Sequence, residues 1–411
     1  MLFLRKTAHY WITLLIIAGM VGLVFLNLNL PEQFRHQDEF APRWVAAKQW
    51  MNEGTSPYNR EVFQQTEALW KVYGYNADEF SQGRYLDIVW NLILFLPLSF
   101  LPFPLARAIW MTITTLALFF SIWFGFDLAG VRFHPIEKVL IALLITLTYP
   151  GFKLILNASI LPLYIFFMIL GSKKALEGKS TAAGIYFLLS LGMFPLSLIM
   201  AVFFAVWLGS RKDNSFLSIY LAGLAFLLVT SLILFPGWIA EWFANLVQVH
   251  PNLSWVDTPL MRIAAFFPGA YRPLAISLHV LTLFVMLVEW YSLPESEERQ
   301  VRWKALLTLN LMSLLNPSSS AVYHVLAWPG LFLLFNFLDE KWKIGGKIAS
   351  WTLLLILLNR FWTDFQNTQN WSSIESTIVS ILLPIIALIG LEWTRWWAMN
   401  SPKPLIEEQK F

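Results

Sequence analysis

The sequence predicts an all-α, polytopic membrane protein, and three observations predict it. Hydrophobic residues fill 57% of the 411 positions and charged residues only 13%, about half the ~25% of an ordinary soluble domain. Apolar runs of about 18 residues or more recur from one end of the chain to the other, as membrane-spanning helices require. The 21 tryptophans suit aromatic belts at two membrane–water interfaces. The short alternating segments of an outer-membrane barrel are missing from the sequence. The whole chain, 1–411, reads as a single integral membrane domain.

The first apolar run, near 8–28, lies within "MLFLRKTAHYWITLLIIAGMVGLVFLNLNL". It exceeds the ~7–15-residue core of a signal peptide and no small-x-small site follows it, so it reads as an uncleaved first span. A long polar loop, 29–84, comes next and contains "RHQDEFAPRWVAAKQWMNEGTSPY". Phe40, Trp44, Ala47, Trp50 and Met51 recur there at helical spacing, which predicts a short amphipathic helix lying along the membrane face. Asp38 and Glu39 stand at its start, where acidic side chains suit the positive end of a helix. Gly54 is placed to end the helix, with Pro57 just beyond.

Further apolar segments fall near 85–101, 104–128, 136–150, 154–171, 181–194, 195–208, 216–235, 271–291, 303–316, 320–338, 346–361 and 374–394. The run 181–208 is too long for one span, and Pro195 at its middle splits it into a hairpin of two helices. That gives about 12–13 transmembrane or re-entrant helices, counted against the length a bilayer requires.

Lysines and arginines orient the set by the positive-inside rule. Arg5/Lys6, Arg132/Lys138, Lys173/Lys174/Lys179, Arg211/Lys212, Arg299/Arg302/Lys304, Lys341/Lys343/Lys347 and the tail 395–411 are expected on the cytoplasmic side, with the N-terminus. Connections 151–158, 194–195, 236–270, 316–319 and 362–373 face the other side. Two full spans between loop 29–84 and the basic connection at 132–138 would break this alternation. The segment "YLDIVWNLILFLPLSFL" at 85–101, short and carrying Pro97, is therefore expected to dip in without crossing.

Composition also excludes. With no cysteine, disulfides, thiolate metal sites and thiol nucleophiles are ruled out. Histidines at 9, 36, 134, 250, 279 and 324 form no pair at metal-binding helical spacing, and no phosphate-cradling Gly loop or dinucleotide pattern is present. No metal, no cofactor and no nucleic-acid partner is expected; the net charge of +3 is small and scattered. His36 reads as a surface residue.

Three stretches carry a resemblance. "DEFAPRWVAA" followed by "GTSPY" is close to an acidic-Phe…Tyr…Ala-Ala and Gly…Pro-Tyr pattern. "RYLDIVWNLILFLPLSFLPFPLARAIW" is close to Tyr-Pro-Pro…Pro-Leu…Leu…Ala…Trp, and "LLNPSSSAVYHVLAWPGLFLL" to Ser-Pro…Trp…His…Pro-x-Leu. In this order the chain resembles the polyprenol-phosphate-sugar-dependent glycosyltransferases of GT-C type, and most of all glycosyltransferase family 87, which includes phosphatidylinositol-mannoside mannosyltransferases. The family's Gly-Gln-x-Asn element is reduced here to "LILNASILPL", its Lys-Pro pair is Phe194-Pro195, and its Tyr-Pro-Pro is "YLD".

The resemblance implies a GT-C bundle whose long first external loop carries juxtamembrane helices. It implies a multi-pass enzyme of a bacterial plasma membrane with its active site outside. The resemblance implies an enzyme that moves a monosaccharide, mannose or a like sugar, from a polyprenyl-phosphate donor to a hydroxyl of a lipid-linked glycan or glycolipid, with inversion. A carboxylate must then take the acceptor proton, and Asp38 and Glu39 are the candidates. Rigidity favours the shorter Asp38; the family's acidic-Phe spacing favours Glu39. The plainer alternative is that both only cap a helix.

A leaving phosphate needs cations. Arg84, Lys153, Arg262 and Arg272 lie at expected external ends of spans, and arginine offers a fork matched to phosphate. Each, taken singly, could equally be an anchor to lipid headgroups. His324 could contact phosphate or orient the base, and Asp87 could bind sugar hydroxyls or cap a helix. Asn157 and Tyr58 complete the substrate-binding candidates. The competing classes are a transporter or flippase of lipid-linked substrates, which would show matching halves and mid-membrane charges, and a non-catalytic relative.

Overall fold

The computed structural model describes residues 14, 17–30, 38–75, 83–131, 133–148, 151–249, 258–315, 321–367 and 374–399. Arg5, Lys6, His36, Arg132, the "NPSSS" stretch and the tail beyond 399 lie outside them. The described chain is built of helices and contains no strand. Among the described residues, five helices are long and apolar enough to cross a membrane: Phe103–Ala129, Ser215–Leu234, Pro268–Tyr291, Ile344–Thr363 and Ile381–Met399. Shorter apolar helices, among them α1 (Ile17–Leu28), accompany them. The protein is thus an all-α, polytopic membrane protein, as its composition predicts.

The helix Ser215–Leu234 shows why. Its 20 residues, at 1.5 Å each, match the ~30 Å of bilayer hydrocarbon. Phe226 is 68% exposed and Ile233 72% exposed. Water would penalise that much open apolar surface, whereas acyl chains solvate it.

The chain divides into two compact units. The first comprises Met1–Ala117, Lys153–Leu163 and Leu227–Asn252. Within it, α2 (Ala41–Glu53) packs against α3 (Arg60–Tyr73), the 3-10 stretch Val89–Leu94 and the single turn α4 (Leu96–Ser99). Gly54 ends α2 at φ +68°, its N–H bonding Trp50 O at 2.9 Å, as its position predicts. The amphipathic surface helix expected here is corrected. Phe40, Ala41, Trp44, Val45, Ala46 and Ala47 are all buried, because neighbours cover α2 on more than one side. Asn59 caps α3, accepting from Glu61 N–H at 3.3 Å.

The segment 85–101 forms no spanning helix. Its six-residue 3-10 stretch rises only about 12 Å at ~2 Å per residue, and α4 adds one turn. The apolar run 154–171 is also broken: α7 (Gly151–Leu156) stops, Ala158 turns at φ +50°, and α8 (Leu161–Leu176) begins. Connection 236–270, read from sequence as a loop, contains α12 (Trp238–Val249) and α13 (Pro259–Ala265).

The second unit comprises Leu118–Phe152, Tyr164–Phe226 and Leu253–Phe411. The run 181–208 divides as predicted into α9 (Ser180–Leu189) and α10 (Leu196–Ser210) around Pro195. The helices α15 (Glu298–Leu315), α16 (Trp328–Trp342), α17 (Ile344–Asn367) and α18 (Ile374–Met399) pack together in this unit. Asn310, fully buried on α15, donates to Pro384 O on α18 at 3.0 Å, an interhelical bond of the kind that ties membrane helices. Asp127 accepts from Lys138 Nζ at 3.2 Å and Lys173 Nζ at 2.6 Å, linking α5 (Phe103–Ala129), α6 (Pro135–Leu147) and α8. Where α16 turns into α17, a Cβ on Gly346 would stand 1.9 Å from Leu338 O. Gly346→Ala is therefore expected to force this turn apart and cost about 1–3 kcal/mol, read as a lower melting temperature in detergent; an unchanged melt would contradict so tight a turn.

Candidate functional site

The acidic pair that follows the first span sits in the first unit, and its two carboxylates have opposite environments. Asp38 is fully buried. Its Oδ2 accepts from Ala41 N–H at 2.8 Å and from Trp70 Nε1–H at 3.2 Å, and its Oδ1 accepts from Arg107 Nε at 2.6 Å. The carboxylate thereby satisfies an open N–H in the first turn of α2, where negative charge is favoured.

Arg107 comes from the first turns of α5 and is 3% exposed. Its Nη2 donates to Leu156 O at 2.6 Å, and its guanidinium carbon lies 4.5 Å from the centre of the Tyr75 ring. Phe40 fixes the neighbouring backbone, with Phe95, Phe103 and Trp110 rings 5.9, 5.9 and 6.2 Å away. A buried charge pair with this many bonds is satisfied, yet fragile to removal of either partner.

Glu39, one residue on, keeps 22% of its side chain exposed. Its N–H donates to Asn157 O at 2.9 Å, and its Oε2 accepts from Ser159 Oγ at 2.7 Å. Arg43, one helical turn later on α2, donates from Nη1 to Glu39 O and stands 3.8 Å from Glu39 Oε2. The same guanidinium forks onto Asp87, Nε to Oδ2 and Nη2 to Oδ1, the latter at 3.1 Å. Arg43 and Asp87 are each 14% exposed at the side chain. One arginine thus lies between two partly exposed carboxylates.

The bonds continue outward. Tyr58 donates its hydroxyl to Asp87 O at 2.9 Å, Asn245 Nδ2 donates to Tyr58 O at 3.3 Å, and Arg84 Nη1 donates to Asn245 Oδ1 at 3.3 Å. Arg84 also stands 5.0 Å over the Phe63 ring. From α12, Trp242 Nε1 donates to Leu86 O at 2.8 Å and Glu241 accepts from Ser56 Oγ. Lys153, on α7, presents its carbonyl to Asn157 N–H at 2.9 Å.

Burial, with Asp87 and Glu241 nearby, pushes the Tyr58 phenol well above its ordinary value of 10.0. It stays neutral and donating at any working pH. The native state then holds a proton that the unfolded chain loses above about pH 10, so this contribution to stability is whole below that pH and falls as pH rises. In an alkaline spectrophotometric titration, Tyr58→Phe is expected to remove one late-titrating phenol; loss of an ordinary phenol instead would contradict the burial of Tyr58.

The first unit thus joins Asp38, Glu39, Tyr58, Arg84, Asp87, Lys153 and Asn157 through its bonds and adjoining turns. Arg262, Arg272 and His324 belong to the second unit. Arg262 is half-buried in the last turn of α13 and Arg272 is exposed at the start of α14 (Tyr271–Tyr291). His324 is buried with its ring 6.1 Å from that of Phe361, and among the described residues neither ring nitrogen has a hydrogen-bond partner.

Arg107, Arg43 and Ser159 were not singled out in the sequence. Arg107 carried a signal, being a lone cation in a 27-residue apolar helix. So did Arg43, four residues after Glu39, a spacing at which opposite charges meet. Ser159 carried none. No family model matches this chain, and no curated protein matches it either.

Proposed function

We propose that the protein is a membrane glycosyltransferase that moves a monosaccharide from a polyprenyl-phosphate donor to a hydroxyl of a lipid-linked or glycolipid acceptor, at an active site on the external face of a bacterial plasma membrane. The observation that carries the reading is Glu39, a partly exposed carboxylate. Its backbone is fixed by Asn157 and Arg43, and its carboxylate is held by Ser159. A general base needs that combination of access and fixed position. Asp38, with both oxygens engaged in a fully buried pair, supports the shoulder on which Glu39 stands.

In this reading Glu39 takes the acceptor proton as the acceptor oxygen attacks the anomeric carbon, and the phosphate leaves from the opposite face with the bonding electrons. The anomeric configuration inverts. Arg84, held by Asn245 rather than by a carboxylate, offers the departing phosphate a charge-assisted bond, and Asp87, held by Arg43, faces sugar hydroxyls. The N-terminus lies in the cytoplasm by the positive-inside rule.

The test is transfer of label from a panel of radiolabelled polyprenyl-phosphate sugars to a membrane lipid extract by the purified protein. A new labelled glycolipid of inverted configuration is the expected result. Saturable donor binding without turnover in any combination would move the assignment to a transporter or a non-catalytic relative.

A further inference from the structure

The second unit contains a cavity of about 600 Å³, inside the ~300–1,000 Å³ range of small-ligand sites. It lies where α15 begins and α18 ends, the side carrying the Lys- and Arg-rich connections. Arg299 lines it with its guanidinium 4.0 Å from the centre of the Trp397 ring. That stacking fixes the plane of the fork and leaves its N–H edge for a ligand.

Arg302, also lining the cavity, is already engaged. It donates to Glu298 Oε1 at 2.8 Å and to Asp127 O at 3.1 Å. Gly130, at φ +73°, makes room for it, since a Cβ there would lie 2.8 Å from Arg302 Nη1. Glu340 also lines the cavity, exposed, with Oε1 accepting from Asn336 Nδ2 at 3.1 Å. The lining therefore holds two cations and two carboxylates, with Arg299 the cation that no described carboxylate pairs.

We propose that this cavity seats the headgroup of a zwitterionic phospholipid of the phosphoethanolamine kind. The phosphate takes the fork of Arg299, and the primary ammonium takes Glu340. With Glu298 and Arg302 paired to each other, a purely anionic headgroup would set its charge against Glu340 with only Arg299 left to meet it, so the balanced lining selects against it. A choline headgroup has no N–H to give Glu340. Tryptophan beside the charged rim matches the chemistry of a headgroup layer, and the lipid would be one from the leaflet on the basic side.

The test is a native mass spectrometry titration of the delipidated protein in detergent with short-chain phosphatidylethanolamine, phosphatidylglycerol and phosphatidylcholine, and with free phosphoethanolamine. The expected result is saturable binding of phosphatidylethanolamine ahead of the other two lipids. Free phosphoethanolamine should bind far more weakly, since it lacks the acyl chains. Arg299→Gln should weaken phosphatidylethanolamine about tenfold or more, the worth of a hydrogen bond to a charged group. Glu340→Gln should erase the preference over phosphatidylglycerol. Arg211→Gln, at the arginine stacked on Trp207 in another basic connection, should change nothing.

Equal binding of phosphatidylglycerol and phosphatidylethanolamine by the wild type would overturn the proposal. So would unchanged affinity in Arg299→Gln, or no saturable lipid binding. If Arg299→Gln does not fold, the loss or retention of preference in Glu340→Gln decides alone.

Discussion

Glu39→Gln is expected to lower sugar transfer by about 10²–10⁴-fold, the usual share of a positioned general base, while the melting temperature in detergent stays within the spread of the wild type. The amide keeps the shape of the side chain and can still bond to Ser159, whose hydroxyl serves as donor or acceptor. What it loses is the ability to take a proton. The loss should therefore fall on turnover rather than on donor affinity. A Glu39→Gln protein that transfers sugar at the wild-type rate would remove the base from this position.

Arg107→Met has the largest expected effect on stability. It leaves the fully buried Asp38 charge without its 2.6 Å partner, and breaking a buried pair from one side costs about 3–5 kcal/mol. It also frees Leu156 O, at the end of α7 and one residue before the carbonyl that holds Glu39. Thermal melting in detergent should drop sharply. Replacing both partners, Asp38→Leu with Arg107→Met, should recover part of the loss, because two apolar side chains leave no uncompensated charge. If the double variant melts no higher than Arg107→Met alone, the pair is not the strut described here.

These two variants separate roles that the sequence set side by side. Rigidity alone favoured Asp38 as the base, and from adjacent letters that is a fair inference. Both residues precede α2, and the backbone there turns one carboxylate inward, to Arg107 and Trp70, and leaves the other partly open. Which one turns inward depends on Arg107, 69 residues further on, and on Trp70 in α3. No local pattern records either partner.

What was legible from the residues follows from length and local chemistry. Twenty residues, mostly apolar and none charged, specify the helix Ser215–Leu234, Pro195 divides the run 181–208, and Gly54 ends α2 by adopting φ +68°. The burial of α2 was not legible. Its apolar positions fit one stripe, yet α3, α4 and the 3-10 stretch cover further faces, and those contacts arise only in the folded unit. The helix α12 was missed because Glu241, Asn245 and Gln248 interrupt its apolar residues and Pro236-Gly237 precedes it, which reads as a loop. It nevertheless brings Glu241, Trp242 and Asn245 to the site.

Azide rescue tests the role of Glu39 most directly. Azide is a nucleophile that needs no base, so it bypasses the step assigned to this carboxylate. Glu39→Ala supplied with labelled polyprenyl-phosphate sugar and azide should release a labelled glycosyl azide of inverted configuration, at a rate well above that without azide. Asp38→Asn should gain nothing from it. No glycosyl azide from Glu39→Ala, or rescue of Asp38→Asn in its place, would contradict Glu39 as the base of a sugar transfer.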